Sequence, residues 1–162
     1  MKRLLKFLHE LGAIGVTGAL AALLVLVATA PKDSLADYAA VRTVITFVAD
    51  WLLVPSLAIV LISGLLAIAA NRAFHNAGWA WVKALLGIAM FEGTLLAIAA
   101  SARRAAELSA LAAAGEPDSA ALAEVLRTEW GGLWLILALS IANVVLAVWR
   151  PRLVRRRPMS AD

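Results

Sequence analysis

Four stretches of the chain are almost wholly apolar, and the polar residues collect between them. They run from about Leu4 to Thr29, Trp51 to Ala70, Trp79 to Ala102 and Trp130 to Trp149, each 20 residues or longer. A helix needs roughly 20 residues to cross a hydrocarbon core ~30 Å thick. Helix is the required form there, because lipid offers a bare peptide group no hydrogen-bond partner. The pattern predicts an all-α polytopic membrane protein, an antiparallel four-helix transmembrane bundle.

The breaks between the stretches have their own chemistry. Pro31-Lys32-Asp33-Ser34 stops the first helix. Asn71 to Gly78 is a short polar link that makes spans two and three neighbours. Arg103 to Ala113 keeps strong helix formers without a breaker, so span three is expected to continue beyond the membrane. Gly115-Glu116-Pro117 turns the chain, and Asp118 or Ser119 can cap a helix that runs through Glu129 into span four, with Gly131-Gly132 loosening the join. A helical hairpin over about 103–129 is therefore expected to project outside, extending helices 3 and 4. The chain divides into a four-helix transmembrane domain over 1–150 and a basic tail over 151–162.

Composition strengthens the membrane reading. Of 162 residues, 63% are apolar, and the mean hydropathy is +0.87. A soluble domain is typically about half apolar. Trp51, Trp79, Trp81, Trp130, Trp134 and Trp149 all fall at or near expected span ends, the distribution of an aromatic belt. Charge sets the orientation. Ten of the fifteen basic residues lie at the N-terminus, in the second loop and the start of span three, or in the Arg150–Arg157 tail. The other five are Lys32, Arg42, Arg103, Arg104 and Arg127. The positive-inside rule then puts both termini in the cytoplasm of a bacterial inner membrane. The basic tail suits anionic lipid better than nucleic acid. The first apolar run is too long for the core of a signal peptide, and Pro31 follows the only small-residue cleavage pattern, so it is read as a retained span.

Few residues can carry chemistry. The absence of cysteine excludes disulfides, thiolate metal sites and cysteine nucleophiles. No Ser/His/Asp arrangement, phosphate loop or HExxH motif occurs. Glu92 lies deep in span three, where a carboxylate is costly unless protonated or paired. It reads as a proton or cation ligand, as a polar contact to a cofactor, or as a neutral acid bonded to Asn143, Thr17 or Ser56. Asp50 either shares a cation site with Glu92 or caps its helix and pairs with Arg42. His9, one turn into span one, and His75, in the second loop, lie on the same side and can meet. Two imidazoles from different helices are a usual way to hold haem iron. Lys83 can snorkel to the headgroups or meet an acidic ligand group. Glycines and alanines at Gly12, Gly15, Gly18, Ala19 and Ala22, with Gly64, Gly87 and Gly93, predict close helix approach.

Several of these segments form a resemblance. Leu8-His9-Glu10-Leu11-Gly12-Ala13, Asp50-Trp51 with Pro55 and Ser63-Gly64-Leu65, Arg103-Arg104, and Val148-Trp149-Arg150-Pro151 resemble a bacterial family of predicted four-helix integral membrane proteins of unknown function. That family is distantly similar to the four-helix membrane protoporphyrinogen oxidase and to the copper-resistance D membrane domain. The resemblance implies haem b as cofactor, with His9 as its axial, metal-binding ligand. Lys83, in Trp81-Val82-Lys83, matches the oxidase family's lysine opening span three. That family's later histidine has no match here, and Glu92 stands near its place. The expected site is thus His9, Lys83 and Glu92. The favoured function is a haem-binding or redox-associated membrane protein. The alternatives are a scaffold or accessory subunit, with a membrane-protein partner or a second copy, and a proton or cation transporter centred on Glu92.

Overall fold

The computed structural model describes residues 2–71 and 78–149. Among them the chain is helical, with no strand. Helix α1 is Lys2–Thr29, α2 is Leu35–Ala69, α3 is Gly78–Ala113 and α4 is Ser119–Trp149. Each contains a stretch long and apolar enough to cross a membrane. His75, Arg72 and the Arg-rich tail lie outside the described residues.

The second helix starts earlier than expected, at Leu35 rather than near Trp51. Ser34 caps it, its hydroxyl accepting from the Asp37 amide at 3.3 Å. Arg42 and Asp50 are therefore helical residues, not loop residues, and Trp51 sits well inside α2. The reason is local: after Ser34 no residue breaks a helix until Pro55. Just before that proline the chain makes a π turn, Ala49–Leu53. Proline lacks an N–H and its ring crowds the preceding turn, which a wider turn relieves. A second π turn, Thr94–Ala99, interrupts α3 beside the first.

Gly115, at φ +94°, turns the chain between α3 and α4. Asp118 accepts from the Ala121 amide at 3.0 Å and opens α4. Contrary to expectation, Gly131-Gly132 does not loosen that helix. Gly132 is a packing position: a Cβ there would come 2.8 Å from the Ala97 Cβ and 3.1 Å from its carbonyl oxygen.

Small residues set the closest contact, between α1 and α2. A Cβ on Gly12 would lie 2.9 Å from the Ser56 carbonyl oxygen and 2.8 Å from a Val60 methyl. One on Gly15 would overlap the Ser56 hydroxyl. Gly18 meets nothing within 4 Å and has no such role. Because backbone cannot swing aside, Gly12→Ala is expected to cost about 1–3 kcal/mol, the usual cost of overpacking. Thermal unfolding in detergent measures this, and Gly18→Ala is the near-neutral comparison.

The packed core lies toward one end. Leu20, Leu23, Ile45, Leu53, Ile98, Leu133 and Ile136 are buried there. Around it, large apolar side chains face outward on every helix, including Ile14 at 70%, Trp51 at 77% and Leu96 at 67% exposure. Outward apolar surface on this scale needs a non-aqueous surrounding or a partner.

Candidate functional site

The other end of the molecule is hollow. A cavity of about 670 Å³ lies between all four helices, with Val16, Leu57 and Met90 at its border with the core. Its size is within the ~300–1,000 Å³ of small-molecule and cofactor sites. Leucine, valine and isoleucine form much of the wall, and the polar exceptions include His9, Lys6, Glu10, Lys83 and Asn143.

His9 is fixed from one side. Its Nδ1 is 3.0 Å from the Val60 carbonyl oxygen and 3.2 Å from the Ser63 hydroxyl oxygen. A carbonyl only accepts, so the proton is on Nδ1. The Ser63 hydroxyl donates to the Ile59 carbonyl at 2.6 Å and so accepts from the imidazole. In the neutral ring Nε2 then carries the lone pair, and it has no hydrogen bond among the described residues. This is the arrangement that fixes the tautomer and ring orientation of a metal-binding histidine. Gly64 makes room for it: a Cβ there would sit 3.4 Å from the His9 Cε1.

Lys83 lines the same cavity, so two of the three expected site residues come together. Glu92 does not join them. It is exposed on the outer face of α3, away from the cavity lining. The partners expected for it are engaged elsewhere or without a bond to it. Asn143 donates to the Met90 sulfur at 3.2 Å, and Thr17 donates to the Ala13 carbonyl at 2.9 Å. Asp50 is held bidentately by Arg103, at 2.9 and 2.8 Å, rather than by Arg42. That leaves no shared cation site with Glu92. Among the described residues, no group of three or more His, Asp or Glu is placed to hold a metal ion.

Arg42 has a different partner, which sequence reasoning missed. Its Nη2 donates to both carboxylate oxygens of Glu129, at 2.9 and 2.8 Å. Both side chains are 1% exposed. Tyr38 stands near them, its phenol pushed up by burial while the Arg42 guanidinium pulls it down. The available signal was weak: Arg42 stands alone among Ala-Val and Thr-Val, but Glu129 has Arg127 two residues before it and is not singled out by its neighbours. The pair ties α2 to α4 at the end away from the cavity.

Comparison of the chain with family models, characterised proteins and solved structures gives no match. The cavity must be interpreted from its own residues. Its lining combines an imidazole held at Nδ1, largely apolar walls and two lysines, groups that could hold a largely apolar ligand with acid groups. Met90 borders the cavity, but its sulfur already accepts from Asn143. His9 is the donor of choice.

Proposed function

We propose that the chain is a haem-binding protein of the bacterial inner membrane. The four helices cross the bilayer as an antiparallel bundle with both termini in the cytoplasm. The counter-running contacts of Gly12 with Val60 and Gly15 with Ser56 support that arrangement, as does the outward apolar surface. The far ends of α3 and α4, joined there by the start of α2, form the projecting layer.

In this reading haem b occupies the cavity. His9 would supply the ligating imidazole, which Val60 and Ser63 hold in place, and Lys83 and Lys6 would offer cationic groups to the acid groups of the haem. The observation that carries the proposal is the Nδ1–H bond to the Val60 carbonyl, which presents Nε2 as a ligand in a cavity shared with Lys83. Bound haem supplies one-electron redox chemistry, with its potential set by the axial ligand and by burial. The chain's part is to ligate, to orient and to exclude water.

The test is an absorption spectrum of the full chain, purified in mild detergent from haem-replete cells. A Soret band is expected, with close to one haem per chain. Glu92→Gln should leave it unchanged, since that side chain lies off the cavity. A colourless protein that also takes up no added haemin would end this proposal.

A further inference from the structure

Three of the four neighbouring helix pairs around the cavity are in close contact. α1 and α2 meet at Gly12 and Gly15, α2 and α3 where Leu61 reaches Gly87, and α3 and α4 at Met90–Asn143. The fourth side is different, because α1 and α4 touch only sparsely. The gap between them is bordered by Lys6, Glu10, Ala13 and Thr17 from α1, and by Ser140 and Val144 from α4. Residues spaced three and four apart share one helix face, so each set forms a stripe along its helix. Lys6, Glu10, Thr17 and Val144 are exposed as well as cavity-lining. Among the described residues the cavity thus has a slot that runs along the helix axes between α1 and α4.

We infer that this slot is a lateral portal, through which an acidic amphiphile dissolved in the cytoplasmic leaflet enters the cavity. The inference rests on the membrane setting proposed above but not on haem being the ligand. In that setting the slot opens onto acyl chains. Its charged residues, Lys6 and Glu10 on α1, lie toward the helix end, at headgroup depth, as does Lys83 of α3 in the cavity wall. Lys6, Lys83 and Glu10 give the wall two cationic groups and one carboxylate, a balance that suits a ligand with an acid group. The rest of the wall is apolar and takes the ligand's body. Two sources share this chemistry: a haem with its propionates, and an anionic phospholipid with its phosphate. An apolar body gains by passing from lipid to cavity without crossing water, whereas an aqueous route would expose it.

The absence of native cysteine makes the test direct. Ala13→Cys with Ser140→Cys places the only two thiols on opposite lips of the slot, where a bifunctional maleimide can bridge them. The full chain is placed in vesicles carrying either haemin or a short-tailed fluorescent phosphatidic acid. Uptake is followed by the Soret band or by quenching of the probe. Bridging is expected to slow both uptake and release by about tenfold or more, as when access requires a barred motion. Val144→Trp, which fills the slot without a cross-link, should slow uptake in the same direction and decides the matter if the thiols do not bridge. Unchanged rates for both probes would overturn the portal, as would failure of the wild-type chain to take up either. Gated uptake of the phospholipid with no haemin binding would keep the portal and remove the haem proposal. Haemin binding at rates that neither change affects would do the reverse.

Discussion

Arg42→Met is expected to destabilise the protein by roughly 3–5 kcal/mol, and Glu129→Met by at least as much. Each change strands a charge that is almost fully buried. The two are not equivalent. A stranded Glu129 can neutralise itself by taking up a proton, at a cost of about 1.4 kcal/mol per unit of pKa shift. A stranded Arg42 cannot, because guanidinium keeps its proton throughout the accessible range. The pH dependence separates them. Without Arg42, burial raises the folded-state pKa of Glu129 above its unfolded value. The variant then loses stability as pH rises through that range and recovers it on acidification. Glu129→Met should show no such recovery. The double variant Arg42→Met/Glu129→Leu is expected to lie close to wild type. The Arg42 Nε is buried without a partner, so the pair is already incompletely satisfied. Unfolding in detergent, followed by circular dichroism over a series of pH values, reads all three. A double variant as weak as the singles would show that the charges have a role beyond mutual compensation.

The existence of four long apolar helices was legible because hydropathy over 20 residues is a property of composition and tolerates local error. Helix ends were less legible. Arg42, Thr43, Thr46 and Asp50 made the start of α2 look like a loop, although the Ser34 cap and the lack of a breaker indicated otherwise. Polarity in a sequence reads as a sign of solvent, yet in two of these residues it marks a partner: Glu129 for Arg42 and Arg103 for Asp50. Such pairings depend on how helices rotate against one another, which no single helix encodes. The same limit explains Glu92. Depth along a helix can be counted from sequence, but the face it occupies is fixed by packing. Here Gly93 turns toward Ile136, Thr94 is buried, and Glu92 points outward. His9 was easier to place, because Gly12, on the same face one turn along, required a close neighbour on that side.

His9→Ala is expected to remove the Soret band while leaving the fold in place. The imidazole is only partly buried, and without it the Ser63 hydroxyl still donates to the Ile59 and Val60 carbonyls, at 2.6 and 3.1 Å. Loss of a ligand is therefore separable from loss of structure, and the melting temperature of haem-free protein reports on the latter. Ser63→Ala gives a graded outcome. Outer-shell partners of a ligating histidine typically contribute about 10–100-fold in metal affinity. Here the Val60 carbonyl still accepts from Nδ1 at 3.0 Å after the hydroxyl is gone. The loss should lie near the lower end, about tenfold, and be measurable by haemin titration. A bulkier residue at position 64 acts by another route. A Cβ on Gly64 already reaches 3.4 Å from the ring, so Gly64→Val should displace the imidazole and weaken haem binding more than Ser63→Ala does. If His9→Ala kept its haem while Gly64→Val lost it, the cavity would bind the porphyrin through its walls and lysines, and the axial role would fall to a side chain other than His9.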